Sequence, residues 1–345
     1  QRPRLKKIIY SPGEPSGIGP DLIIQIACSK SWEKFNVPIL SIGDPALFLE
    51  RSKLLQKKLK VIDIESVDNL INNKKGVLQV IKVSNCRNTH PGKLIKSNAQ
   101  YVLDNLHFGI KEAMRFKSTA LVTGPISKEN VIEVNKKFTG HTEYIQKITK
   151  SDGVLMMLAS DKLKVALATT HIPIKSVSKQ INKELIINKV NILNKDLMKK
   201  FNLKKPNIKI LGLNPHAGEN GKIGQEEINH INPAVKILKK RKINVSYPIS
   251  ADTAFSQKML KETDAYLGMY HDQVLPVLKT LSFGKSINIT LGVPIVRTSV
   301  DHGVALDMAG SNKSDVSSLE LAIKTAKKLI KWIREISEGN MDKTI

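Results

Sequence analysis

The chain has 345 residues, 41% of them hydrophobic, which is enough for two domains of ordinary size or one large domain with a substantial core. No apolar run approaches the ~20 residues of a membrane-spanning helix, and Cys28 and Cys86 alone exclude a disulfide framework or a cysteine zinc site. The formal charge of +24 is spread over short, scattered lysine groups, so solvated lysine faces are the simpler reading and no nucleic-acid partner is expected.

Residues 1–7 are basic, but only residues 8–10 behind them are apolar; no signal peptide or membrane contact is expected, and a cytoplasmic location is. Residues 6–10 read as a buried strand, followed by SPGEPSGIGPDL, a glycine turn with Pro20 suited to a first helical turn. The dinucleotide fingerprint fails there, because its third glycine would fall on Leu22; amides at the helix start would still favour an anion. Strands are expected at 37–43, 78–83 and 119–123, a helix near 46–55, and another over 98–116 with Val102, Leu106, Ile110 and Ala113 on one face. His90 and His107 get structural readings. Residues 139–144, TGHTEY, place His141, Thr142 and Glu143 at an expected helix start.

Residues 154–159 and 163–168 fit a hairpin, and 179–201 a helix. Residues 208–213 form a strand leading into GLNPHAGENGKIGQEE, the most ligand-like stretch of the chain, with His216 on a loop rich in glycine. A helix follows at 232–239, a helical segment opens at 252–255, a strand at 265–270 runs into YHDQ, and a further strand covers 286–291. The last helix shows a capping box of Ser317 and Glu320 and an apolar face of Leu319, Ala322, Ile323, Ala326, Ile330 and Ile333.

His171, His216 and His271 each follow an apolar, strand-like run, and form a candidate metal triad. Three neutral imidazoles would hold a divalent ion with positions left open for substrate; the plain reading is three separate histidines in strand-end turns, and the long spacings do not decide. Lys279, Asn288 and Arg297 make a plausible clamp for phosphate or carboxylate. Asp252 and Asp272 could orient ligand histidines or accept a proton.

GEPSGIGPDL, GPISK, GHTEY, THIPIK, GLNPHAGENGKIGQEE, DTAF, YHDQVLPVLK and GVPIVRTSVDHGVALDMAG, in that order, resemble the motifs of the 4-hydroxythreonine-4-phosphate dehydrogenase family of pyridoxine biosynthesis. The resemblance implies oxidation of the C3 hydroxyl of 4-phosphooxy-L-threonine with NAD or NADP, followed by decarboxylation of the 3-keto acid to 3-amino-2-oxopropyl phosphate. It implies metal ligation by His171, His216 and His271, with zinc, magnesium or cobalt, and substrate binding by His141, Thr142, Lys279, Asn288 and Arg297. It also implies a homodimer with active sites at the subunit interface and metal ligands from both chains. The implied fold is α/β, isocitrate/isopropylmalate dehydrogenase-like, with two α/β/α subdomains and a cleft between them: residues 1–125 with 285–345, and residues 126–284. Within that fold the cofactor contacts are expected at Gly17, Gly19, Asn214, Gly292, His302 and Gly303. The competing readings are a 4-phospho-D-threonate or D-erythronate dehydrogenase paralogue, and an acyltransferase of the phosphate acetyltransferase type.

Overall fold

The computed structural model describes residues 5–341, with side chains of the last helix described as far as residue 330; Gln1–Arg4 and the side chain of Ile333 lie outside the described residues. The strands are β1 (Lys7–Ser11), β2 (Ile39–Ile42), β3 (Lys60–Asp63), β4 (Val77–Ile81), β5 (Thr119–Thr123), β6 (Leu155–Ala159), β7 (Lys164–Leu167), β8 (Ile208–Ile210), β9 (Ala265–Gly268), β10 (Ile287–Leu291) and β11 (Val296–Val300). They fall into two compact units, one formed by the chain up to Lys150 together with the part from Pro294 onward, the other by Ser151–Val293.

In the first unit six strands lie parallel in the order β3-β4-β2-β1-β5-β11. Parallel strands are covered on both faces, which is why β1 and β5 are buried throughout. Ile9 is in register with Leu40 and Leu121, and Phe108 of the helix Ala99–Arg115 packs on the cluster of Ile9, Leu40 and Ile42. Val122 therefore points to the opposite face, as does its register partner Thr298, whose hydroxyl donates to the Ala322 carbonyl at 2.9 Å. The helix Ser317–Met341 thus covers that second face, burying Leu319, Ala322, Ile323, Ala326 and Ile330. Its start is not the expected capping box: the Asp315 carboxylate accepts from Ser317 N–H at 2.8 Å and from its hydroxyl at 2.6 Å, while Glu320 N–H donates to the Val316 carbonyl.

In the second unit the order is β10-β6-β7-β9-β8, with β10-β6-β7 antiparallel and β7-β9-β8 parallel. The expected hairpin is β6-β7. The expected helix over 179–201 is two, Ile174–Gln180 and Lys183–Lys199, because Asn182 is extended and its side chain caps Leu185 N–H at 2.8 Å. Residues 252–255 form a turn rather than a helix start; the helix Gln257–Glu262 begins only after Ser256. The helix His271–Ser282 packs Val274, Leu275 and Leu278 against Val165, Leu167 and Tyr266. No helix among the described residues is long and apolar enough to cross a membrane.

Candidate active site

The glycine-rich loop after β8 is built on the wrong hand of helix. His216 (φ +52°), Ala217 (+51°), Gly218 (+83°), Glu219 (+42°) and Asn220 (+54°) make a left-handed turn within Pro215–Gly221, a conformation that costs a non-glycine residue roughly 1–2 kcal/mol. Two carboxylates hold it. Glu227, buried, accepts from Asn214 N–H at 2.8 Å and Asn214 Nδ2 at 2.9 Å, and Glu226 accepts from Asn214 Nδ2 at 2.7 Å and Ser178 Oγ at 2.6 Å. The Ser178 and Asn214 hydrogen bonds pull the Glu226 carboxyl down to about 2. Gly218 is required twice over: its φ is positive, and a Cβ there would lie 2.8 Å from the Glu227 carboxylate. The turn presents His216 with Nδ1 3.0 Å from Glu219 Oε1 and Nε2 3.9 Å from Asp252 Oδ2, Asp252 also accepting a short hydrogen bond from Ser250.

His171 and His271 are brought together by strand pairing. Beyond the parallel β7-β9 pair, Ala168 N–H donates to the Gly268 carbonyl at 2.8 Å and the Thr169 hydroxyl to the Met269 carbonyl at 2.7 Å, so the two chain segments leave the sheet side by side. The ring centroids are 5.6 Å apart. Two imidazoles on one tetrahedral cation, with metal–nitrogen distances of about 2.0–2.1 Å, would have centroids about 5 Å apart, so the pair fits a shared divalent ion. Asp272 Oδ1 lies 2.7 Å from His271 Nδ1, which leaves Nε2 as the ring nitrogen open to a ligand. The two histidines and Asp272 line a cavity of about 260 Å³ with Thr170, Tyr270 and Ile174. His216 does not join them: among the described residues no three His, Cys, Asp or Glu side chains form a metal-holding group within the chain. Gln273 ties the histidine-bearing segments together, its Nε2 donating to the Gly212 carbonyl at 2.7 Å and its Oε1 accepting from Met269 N–H at 2.8 Å.

In the first unit, His141 and the buried Thr142 open the helix His141–Thr149. Arg297, on β11, is 2% exposed and donates through Nε and Nη2 to Thr123 Oγ1 at 3.2 and 2.8 Å. Burial pulls this guanidinium down to about 9, against the opposing charge of Glu143. Burial, followed by the charges of Arg297 and Lys128, holds His141 well below the ordinary histidine range, so its ring is neutral. Lys128 begins the helix Lys128–Val131, capped by Ser127 Oγ, which accepts from Asn130 N–H at 3.3 Å.

The other two expected substrate residues belong to the second unit. Lys279 is on the helix His271–Ser282, and Asn288 on β10 has a buried Oδ1 without a hydrogen-bond partner among the described residues. Of the expected cofactor contacts, Gly17 and Gly19 lie beside the loop of His302 and Gly303, since Ile18 N–H donates to the Val304 carbonyl at 2.9 Å. That bond, with Gly17 N–H on the Glu14 carbonyl, occupies amides the sequence offered to an anion. Asn214 is engaged by Glu226 and Glu227, and Gly292 N–H donates to Asp196 Oδ2 at 2.8 Å, both in the second unit. Sequence reasoning passed over Glu227, Gln273 and Lys128; their only signal was lying inside or beside the quoted motifs IGQEE, YHDQ and GPISK.

Residues 34–326 match the family described as pyridoxal phosphate biosynthetic protein PdxA. A 4-hydroxythreonine-4-phosphate dehydrogenase of Pseudoalteromonas translucida (strain TAC 125) is 44% identical over 323 residues, which cover 94% of this chain and 97% of that protein. The solved structure of a 4-hydroxythreonine-4-phosphate dehydrogenase from Klebsiella pneumoniae superposes with a TM-score of 0.86 at 29% identity, over 94% of this chain and 99% of that one. One from Burkholderia phymatum does so with a TM-score of 0.82 at 31% identity, over 94% and 98%.

Proposed function

The chain belongs to the pyridoxal phosphate biosynthetic protein PdxA family, and from that premise we propose that it oxidises the C3 hydroxyl of 4-phosphooxy-L-threonine with NAD or NADP. The 3-keto acid then loses carbon dioxide to give 3-amino-2-oxopropyl phosphate, a step toward pyridoxal phosphate. The curated relatives, named as dehydrogenases of this compound, support the reaction. The observation that carries it to residues is the His171–His271 pair with Asp272 on its outer side.

His171 and His271 would hold a divalent cation, zinc, magnesium or cobalt, with His216 supplied across a homodimer interface. When bound, such an ion would supply polarisation of the substrate oxygens, and an oxidised nicotinamide would supply the hydride acceptor. The chain's own groups do the rest. Asp272 orients the His271 ring, and Asp272 or Asp252 takes the hydroxyl proton. Arg297 in the first unit and Lys279 in the second are each a positive group suited to an anionic substrate, and the orphaned Asn288 oxygen can accept from a substrate donor. His141, kept neutral beside two cations, and Thr142 can orient the substrate by hydrogen bonding without adding a charge. The isocitrate/isopropylmalate dehydrogenase-like fold and the dinucleotide contacts at Gly17, Gly19, Asn214, Gly292, His302 and Gly303 are part of this reading.

The test is reduction of NAD or NADP by the purified protein with 4-phosphooxy-L-threonine, 4-phospho-D-threonate or 4-phospho-D-erythronate as substrate. Turnover of the amino acid is expected. Turnover of the hydroxy acids alone would move the assignment to a paralogue, and acyl transfer undiminished in His216→Ala would replace it with a phosphate acetyltransferase-type activity.

A further inference from the structure

Arg51 lies on the helix Pro45–Leu54, outside every motif quoted above, and is 1% exposed. Its Nη1 donates to the Gly17 carbonyl at 3.0 Å and to Asp21 Oδ1 at 2.5 Å, and its Nη2 donates to the Pro15 carbonyl at 2.6 Å. Asp21, fully buried, turns its other oxygen to Gly310 N–H at 2.6 Å. The loop that carries His302 and Gly303 is thereby fastened at two points: at Gly310 by Asp21, and at Val304 by Ile18, whose turn is the one Arg51 grips. Gly17 fits against this loop only because it lacks a side chain, as a Cβ there would sit 2.7 Å from the Val304 carbonyl oxygen. Residues 90–93 brace the same turn, Gly92 N–H donating to the Ser16 carbonyl at 2.8 Å.

A buried ion pair is weak evidence for stability, because well-packed apolar residues commonly serve the core as well. Here two of the guanidinium's partners are backbone carbonyls of one turn, and the carboxylate spends its second oxygen on the other loop. Only a planar, multi-donor fork opposite a carboxylate can hold both segments in one geometry. We propose that Arg51 and Asp21 are a positioning pair for the dinucleotide: they hold the turn 15–19 and the loop 302–310 ready for it, without touching it. This rests on the reading above that His302 and Gly303 contact the dinucleotide.

The test compares wild type, Arg51→Lys, Arg51→Met, Asp21→Asn and Gly303→Val, with kcat, KM for the dinucleotide, KM for the phosphorylated substrate, and dinucleotide binding by titration without substrate. Arg51→Lys keeps a cation opposite Asp21 but lacks the fork, so it gives a folded protein even if Arg51→Met does not. It is expected to raise the dinucleotide KM and dissociation constant about tenfold or more, with kcat and substrate KM within about twofold; Asp21→Asn should do the same. Gly303 is exposed with open space where a Cβ would be, so valine tolerates the fold and obstructs a ligand. Unchanged dinucleotide binding in Arg51→Lys, or an equal loss in all three kinetic parameters, overturns the pair's role. Unchanged dinucleotide binding in Gly303→Val overturns instead the reading on which it rests.

Discussion

Replacing Glu227 with alanine tests whether the left-handed turn is held in place by its carboxylate. Four non-glycine residues of the turn, His216, Ala217, Glu219 and Asn220, have positive φ; at roughly 1–2 kcal/mol each, the turn stores about 4–8 kcal/mol, toward the low end because asparagine tolerates this region. Against that, Glu227 accepts two hydrogen bonds from Asn214, at 2.8 and 2.9 Å, and charge-assisted bonds of this kind contribute about 1.5–3 kcal/mol each, or about 3–6 kcal/mol together. The two sums are of similar size, so Glu227→Ala should let the turn relax locally while the rest of the unit stays folded. Strain relief offsets part of the loss, leaving a fall in global stability of about 1–3 kcal/mol in denaturant unfolding. Hydrogen exchange read by mass spectrometry should show residues 214–221 losing protection while β7 and β9 keep theirs. Glu227→Gln should fall between, since its amide turns one donor toward the Asn214 donors. Protection of 214–221 unchanged in Glu227→Ala would refute the argument, as would cooperative loss across the whole second unit.

Asn288→Leu removes a buried oxygen that has no partner, so thermal unfolding should be unchanged or slightly later, while KM for the phosphorylated substrate rises about tenfold or more; a stability loss with unchanged KM would make Asn288 structural. Asp272→Asn should weaken zinc binding about 10–100-fold in a chelator competition, because His271 loses the carboxylate that sets its ring; equal affinity would remove Asp272 from that role. His141 should stay neutral as pH falls through about 6.5, its ring-proton NMR signal unshifted there, and Lys128→Met should move its titration upward. Because its folded pKa is depressed, the unfolded chain takes up the proton first: the residue's contribution to stability is complete above about 6.5 and lost as pH falls toward the folded value. An ordinary titration of His141 would contradict this.

Elements with one strong period or a fully buried apolar run were legible from the residues. β5 was read as Thr119–Thr123, and the helix Ala99–Arg115 within a residue or so of its ends. β3 went unread because Lys60 and Asp63 are exposed and its two middle residues only half-buried, so no alternation marks it. The helix His271–Ser282 was hidden by Pro276 inside it and by a motif that invites a loop reading. At the site, residue type pointed to the histidines, and strand pairing explains how His171 meets His271. The turn under His216 could not be read, since four successive left-handed residues besides Gly218 contradict every local propensity and are held by Glu227, Glu226 and Asn214. Arg51 and Glu227 were equally silent: periodicity finds buried apolar residues, whereas a buried charge becomes visible only once its backbone partners are in place.

The first unit is made of two stretches of chain separated by the whole of the second. β11 pairs with β5, and the helix Ser317–Met341 covers β11, β5 and β1. As the polypeptide emerges during synthesis, Ser151–Val293 has all its strands and can settle first. The five earlier strands of the first unit must wait, with one side of β5 unpaired and the surface of β5 and β1 that the last helix covers still open, until the final segment arrives. A nascent chain halted before Pro294 would therefore expose a sticky strand edge, the form of this protein most in need of a chaperone.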